Sequence, residues 1–253
     1  MKSSGKTENA YEVLKRAILN GTHAPGAPLR VAALSKAHGI SATPLREALS
    51  RLEEKRLVVA SPNCGWRVAP VSFEELNDLE DARLSLEQRL LDDAIAHAGM
   101  EWEADLVAAH HRLMHTPHPI GRDAVDDRER WIVAHDGFHE KLVAGGRSSW
   151  LKSFHAVTLE QLQRHHQALL FHPGSINPDR HGRHSEETLD LLRLALAHEH
   201  HTKLMQAALD RDRDVARALL GEHVQITMSV YRSVVGLDGV DDVEKRTKRE
   251  ELQ

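Results

Sequence analysis

The chain contains a single cysteine, Cys64, among 253 residues. This excludes an internal disulfide and suits a reducing compartment. Aromatic residues make up only 4%, so aliphatic side chains must pack any core. No apolar stretch approaches the roughly 18 residues that a membrane helix needs. The start of the sequence lacks the charged, apolar and small-residue succession of a secretion signal, and a cytoplasmic protein with no membrane span is expected. Also missing are a nucleophile elbow, a phosphate-binding P-loop and a glycine-rich dinucleotide loop, each the mark of a familiar enzyme chemistry.

What is present is unevenly distributed. The net charge is −5, yet residues 1–72 carry 11 Lys/Arg against 5 Asp/Glu, and the remainder 22 against 33. A basic N-terminal module on an acidic body suits a protein that lays one end on nucleic acid. Hydrophobic residues reach 41%, and the length is enough for two domains, each with its own core.

The most informative stretch is residues 38–70. Ser41 or Thr43 can cap a helix, with Pro44 in its first turn, where a missing N–H costs nothing. Leu45, Leu49 and Leu52 share one face, with Arg46, Ser50 and Arg51 elsewhere on the wheel. Leu57–Val59 reads as a strand, residues 62–65 as a hairpin turn and Trp66–Val68 as the return strand. A groove-sized helix followed by a basic-tipped hairpin is the outline of a winged helix-turn-helix. Ahead of it, residues 8–20 form an amphipathic helix stopped by Gly21, after a polar, frayed start over residues 1–7. Leu29 to His38 is a short helix, and Gly39 makes the turn that follows.

Ser72 and Glu75 then form a capping box that opens a second domain. From there almost everything has helical periodicity: 73–98, 101–115, 123–144, 149–171, 184–211 and 212–235. The fold expected is therefore mainly α. A winged helix-turn-helix over residues 1–71 precedes an antiparallel all-α bundle over 72–235, and a charged tail over 236–253 follows. The segment 173–182 is a long loop, either a lid or disordered.

Histidine is abundant, with 19 copies concentrated in the second half. In His135-Asp136-Gly137-Phe138-His139, two imidazoles four residues apart share one helix face, and Phe138 points away into the core. His201 and His223 lie on the last two helices, which an antiparallel bundle can bring level. Such a set suits zinc, nickel or another divalent transition metal, manganese included. The pentapeptide also reads as a variant of the zinc-peptidase H-E-x-x-H with Asp136 as base, which leaves a metal-dependent hydrolase open. A DNA-binding dimer with incidental histidines is a third reading. Arg83, Glu87 and Arg164 are candidate polar residues of the bundle. Arg83 and Glu87, four apart, are expected as a surface ion pair. If Arg83 faces a cavity instead, its fork suits a carboxylate.

Residues 11–70 resemble the GntR family of bacterial transcription regulators. The carriers are Leu14 to Gly21, Pro25-Gly26 with Leu29, Leu34-Ser35, Gly39-Ile40-Ser41, Thr43 to Leu49, Leu52 and Gly65 to Val68. The helical part resembles the FCD, or FadR-like, branch through Ala82 to Glu87, Phe138-His139, His201, and Asp212, Ala216 and His223. The resemblance implies a homodimeric repressor that binds a double-stranded DNA operator and responds to a small carboxylate. The stretch Glu101 to Asp105 and the HDGFH pentapeptide are similar to regulators of short dicarboxylate catabolism.

By the same resemblance, Arg46 reads a base edge while Ser41, Thr43, Pro44 and Arg51 lie along the DNA. The wing residues Asn63, Gly65 and Arg67 reach the minor groove or backbone. Ala42 stands where relatives often carry Arg. The family's metal set of one Asp and three His becomes His135, His139, His201 and His223 here, because the Asp position falls on His135. That leaves open whether His135 or Asp136 ligates. Arg83 and Arg164 are the expected effector contacts.

Overall fold

The computed structural model describes residues 2–61, 65–120, 125–180 and 183–237. The N-terminal part comprises α1 (Lys2–Leu19), β1 (Pro28–Leu29), α2 (Val31–His38), α3 (Ala42–Glu54), β2 (Val58–Ser61) and β3 (Gly65–Val68). Leu45, Ala48, Leu49 and Leu52 of α3 are buried against α1, where Ala10, Leu14 and Ile18 supply the opposing face. Each fully buried leucine contributes about 2 kcal/mol of transfer free energy, so this face fixes how α3 is presented. Between α2 and α3, Gly39 has φ +66°, a left-handed turn that glycine adopts without steric cost.

Two expectations are corrected here. α1 begins at Lys2 rather than residue 8, and Thr7 Oγ1 donates to Glu47 Oε2 of α3 at 2.6 Å. Leu29 belongs to a strand, not to the helix that follows it. β1 pairs antiparallel with β3 (Pro28 opposite Arg67, Leu29 opposite Trp66), and the sheet order is β1-β3-β2. Pro28, lacking an N–H, is tolerated because β1 is an edge strand. The hairpin turn with Asn63 and Cys64 lies outside the described residues.

The body comprises α4 (Phe73–His97), α5 (Met100–Met114), α6 (Val125–Ala144), α7 (Ser149–Phe171), a single-turn α8 (Pro173–Ile176), α9 (Glu186–Ala195), α10 (His198–Leu209) and α11 (Arg213–Val235). A 3₁₀ turn over Pro178–Arg180 follows α8. The segment expected as a loop over 173–182 is thus partly helical. α4 packs on α6, α7 and α11, α5 on α6, and α11 on α9 and α10. Two apolar clusters result. One gathers around Phe138, Leu142, Leu204 and Leu220, the other around Leu76, Leu162, Leu192, Val224 and Tyr231.

The single helix expected over 184–211 is two, broken at Leu196-Ala197. Neither glycine nor proline marks the break. Leu192 and Leu196 are buried on one side, His201 and Leu204 on another. Five residues separate Leu196 from His201, a rotation of about 140° on a straight helix. The break lets both faces be buried. Of the tail expected over 236–253, residues 238–253 lie outside the described residues.

Candidate functional site

The first functional surface is the outer face of α3. Ser41, Thr43 and Arg46 are exposed beside partly buried Pro44. Ser41 is at the N-cap position, although its side chain makes no capping hydrogen bond. Leucines hold the opposite face in the core, so this polar face is free to enter a groove. Arg51 is placed differently. Its guanidinium pairs with Glu8 at 2.8 Å and lies 4.2 Å from the centre of the Tyr11 ring. It ties α1 to α3 while its side chain stays 42% exposed. In the wing, Gly65 and Arg67 are exposed, and Arg67 Nη2 donates to Ser61 Oγ at 3.2 Å.

The second is a cluster of imidazoles between the two apolar cores of the body. His135 and His139 come from α6, His201 from α10 and His223 from α11, and one nitrogen from each lies within 4.8 Å of the other three. All four are buried. His201 Nδ1 lies 3.1 Å from the Ala197 carbonyl, which makes it the donor and leaves Nε2 without a partner. His135 Nδ1 donates to Asp136 Oδ1 at 3.1 Å, and Gln163 Nε2 donates to Asp136 Oδ2 at 2.6 Å. Asp136 therefore stands behind His135 and orients it. Neither nitrogen of His139 has a partner, nor does His223 Nδ1. Buried nitrogens are seldom left unpaired. Converging from three helices, these fit a divalent ion, and the backing of His135 and His201 by oxygen acceptors is what ligating imidazoles normally have.

Burial chiefly, reinforced by Arg83 or by neighbouring imidazoles, holds His139, His201 and His223 well below the ordinary imidazole range. Burial also lowers His135, against the pull of Asp136. In the unfolded chain these groups return to about 6.5. Protons thus prefer the unfolded state, and the cluster's contribution to stability is complete above that pH and lost as pH falls below it. We expect the denaturation midpoint of metal-free protein to fall as pH drops from about 6.5 to about 5, with metal released over the same range, since ligation needs neutral imidazole. A midpoint that rises on acidification would contradict this.

Beside the cluster is a cavity of about 60 Å³, lined by Arg83, Trp131, His135, Asp136, Gln163 and His223 among others. The expected surface pair Arg83–Glu87 is instead buried, with Arg83 only 2% exposed. Arg83 Nε donates to Glu87 Oε1 at 2.9 Å, and Glu80 lies 3.5 Å away on its other side. Although burial alone would depress the Arg83 guanidinium, these two carboxylates raise it. Glu87 also accepts from His155 at 2.8 Å, and Glu80 from His166 at 3.2 Å.

Arg164 lies elsewhere, under the link between the two parts of the chain. Nη1 donates to the carbonyls of Ala69 and Pro70, and Nη2 lies 3.1 Å from both oxygens of Glu75. The Ser72 half of the capping box forms, with Oγ accepting from Glu75 N at 3.1 Å. The Glu75 carboxylate turns instead to Arg164 and His165. The His165 hydrogen bond, opposed by burial and aided by Arg164, lowers Glu75 to about 2. From the same helix α7, Gln161 Nε2 donates to Lys55 O at the end of α3 at 2.7 Å, and His172 Nε2, just past α7, to Gly21 O at the end of α1 at 2.8 Å. Gly21 has φ +76°, and a Cβ there would lie 2.7 Å from Gln167 Oε1. Gln167 also lines the cavity, so α7 touches both the cavity and the ends of α1 and α3. Arg164→Ala would leave several acceptors unpaired, and we expect it to cost about 2–4 kcal/mol. Urea titration checks this, and a loss below about 0.5 kcal/mol, the ordinary surface range, would contradict it.

Gln161, Gln163, Gln167 and His172 were not singled out from sequence. The available signal was the composition of α7, where His155, Gln161, Arg164, His165 and Gln167 are all buried. A buried helix with that much polarity has polar business on more than one side.

Comparison with known proteins agrees with this architecture. Residues 6–68 match the family described as bacterial regulatory proteins, gntR family, and residues 78–226 match the FCD domain. The chain is 32% identical over 231 residues to the HTH-type transcriptional repressor GlaR of Escherichia coli, covering 90% of this chain and 96% of that protein. It is 29% identical over 225 residues to the HTH-type transcriptional regulator BphR of Paraburkholderia xenovorans, covering 89% and 84%. Among solved structures it resembles E. coli McbR/YncC, with TM-score 0.65 and 23% identity over 89% of this chain and 96% of that one. It also resembles a putative transcriptional regulator GntR from Rhodococcus sp. RHA1, with TM-score 0.66 and 20% identity over 90% and 97%. These two likenesses speak for the fold alone. No helix among the described residues is long and apolar enough to cross a membrane. The regulator family removes the hydrolase reading of HDGFH: this chain belongs to the GntR family of DNA-binding transcriptional regulators, with an FCD ligand-binding domain as its helical body.

Proposed function

We propose that the protein is a homodimeric repressor whose hold on a double-stranded operator is set by a small carboxylate in the FCD domain. The observation that carries this reading is the buried cluster of four imidazoles with unpartnered nitrogens, opening beside Arg83 onto a cavity. His135, His139, His201 and His223 would hold a divalent ion, with zinc fitting four neutral nitrogens best, nickel next, and manganese, which prefers oxygen, least. Such an ion supplies a Lewis-acidic centre for a carboxylate oxygen. Arg83, steadied by Glu80 and Glu87, presents its guanidinium toward the same carboxylate. Arg46 reads a base edge, Ser41 and Thr43 meet phosphate with Pro44 beside them, and Gly65, Arg67 and Asn63 lie along the wing contact.

Coupling runs through α7. Gln163, His166 and Gln167 border the cavity, while Gln161, Arg164 and His172 hold the ends of α3 and α1 and the link. A ligand that presses on the first set shifts the second, and with it the spacing of two recognition helices that must match the DNA repeat. A homodimer is supported by the exposed Trp150, Phe154 and Val157 on one side of α7, with the two rings 6.0 Å apart. An apolar patch of that kind is typical of a contact surface. The relative GlaR is named a repressor.

Thermal shift of metal-loaded protein with a panel of small carboxylates, repeated in EDTA, tests the reading. Stabilisation confined to the metal-loaded form is expected. Stabilisation equal in both, or in neither, would overturn it.

A further inference from the structure

We propose that the FCD cavity selects a small monocarboxylate with an aliphatic tail over a dicarboxylate of the same length. This rests on the metal-and-carboxylate reading above and narrows it to a chemical class.

Charge carries the first half of the inference. Four neutral imidazoles contribute no charge. A divalent ion and the Arg83 guanidinium together bring three positive charges. Three carboxylates already oppose them: Glu80 and Glu87 flank Arg83, and Asp136 backs His135. Glu80 and Glu87 are fully buried. The site is thus near neutrality before any effector enters. One carboxylate can share the ion and Arg83, but a second would be a buried charge with no cation of its own, which is strongly disfavoured.

The far wall carries the second half. The apolar lining of the cavity includes Leu169 and Leu170 of α7, Leu192 of α9, Leu196 just after it and Val230 of α11, while Trp131 of α6 stacks on His135 with ring centres 4.6 Å apart. Arg83 is the sole lysine or arginine among the lining residues. Of the neutral polar groups there, Gln163 donates to Asp136 and Thr227 Oγ1 donates to His223 O at 3.3 Å, while the Gln167 amide and the Trp131 indole N–H are buried without a partner and could offer a ligand a neutral hydrogen bond but no compensating charge. An apolar wall of this kind rewards methylene groups.

The test is calorimetric titration of the zinc-loaded full chain with acetate, butyrate, valerate and hexanoate, and with succinate, glutarate and adipate. Affinity is expected to rise about fourfold per added methylene in the first series until the cavity is filled. Valerate should bind at least about tenfold more tightly than glutarate. Leu170→Arg, at a half-buried position, adds a cation to the far wall and is expected to raise glutarate affinity about tenfold while lowering that for valerate. Should that variant fail to fold, the wild-type ratio decides alone. Equal or tighter glutarate binding in the wild type, or monocarboxylate affinity that does not change with tail length, overturns the class and leaves the carboxylate-sensor reading standing. No binding by any member of either series overturns both.

Discussion

Arg46→Ala is expected to lower affinity for the duplex that the protein selects from a random pool by about thirtyfold to twenty-thousandfold. A side chain reading a base edge is worth about 1–3 kcal/mol of discrimination, and a dimer presents two copies, so about 2–6 kcal/mol is at stake. Binding to random duplex should change far less, since phosphate contacts supply most of that affinity. Arg46 is exposed on α3, opposite the leucines that anchor the helix, so the thermal midpoint should stay unchanged. Fluorescence anisotropy on selected and random duplexes checks both statements. An undiminished preference for the selected duplex would remove Arg46 from the reading role. Arg51→Ala is the contrasting case. Its pairing with Glu8 and its position over Tyr11 make it a brace, and its loss should affect selected and random duplex alike.

His139→Ala and His223→Ala are each expected to lower metal affinity by more than about a hundredfold, since even loss of a group behind a ligand costs tenfold to a hundredfold. Both are buried, with nitrogens that have no other partner. Purified variants should carry less than about a tenth of the wild-type metal, and EDTA should no longer shift their melting. His111→Ala is the control. His111, in the last turn of α5, and His115, its C-cap, are also four apart, with ring centres 4.0 Å apart, but both are exposed. That variant should keep its metal. Full metal content in His139→Ala and His223→Ala would remove the imidazole cluster from the account.

The two histidine pairs show how far the sequence could be read. His111/His115 and His135/His139 have the same spacing, although His115 is the C-cap of α5 while His135 and His139 both lie within α6. What separates them further is burial: His201 of α10 and His223 of α11 close over His135 and His139, and that depends on tertiary packing, not on period. The α3 leucine face was legible because local amphipathicity and burial coincide there. Leu29 reads as helical in sequence because a two-residue strand is defined by its partner β3, 37 residues later. The break at Leu196-Ala197 left no trace, as both halves consist of good helix formers. Arg83 and Glu87 at helical spacing look alike on a surface and in a core. Only the helices packed around them decide. Arg164 was recognised as a bundle polar group, but its role under Ala69 and Pro70 required knowing that α7 reaches back to the link.

The most direct test is operator affinity under four conditions. Anisotropy of the selected duplex is followed with zinc-loaded protein and with EDTA-treated protein, each with and without saturating valerate. The expected result is a shift of at least about fivefold on adding valerate to the zinc-loaded protein, the lower end of ordinary allosteric coupling, and none after EDTA. An equal shift with and without metal, or no shift in either case while valerate binding is seen by calorimetry, would contradict a metal-held carboxylate that acts on DNA through α7.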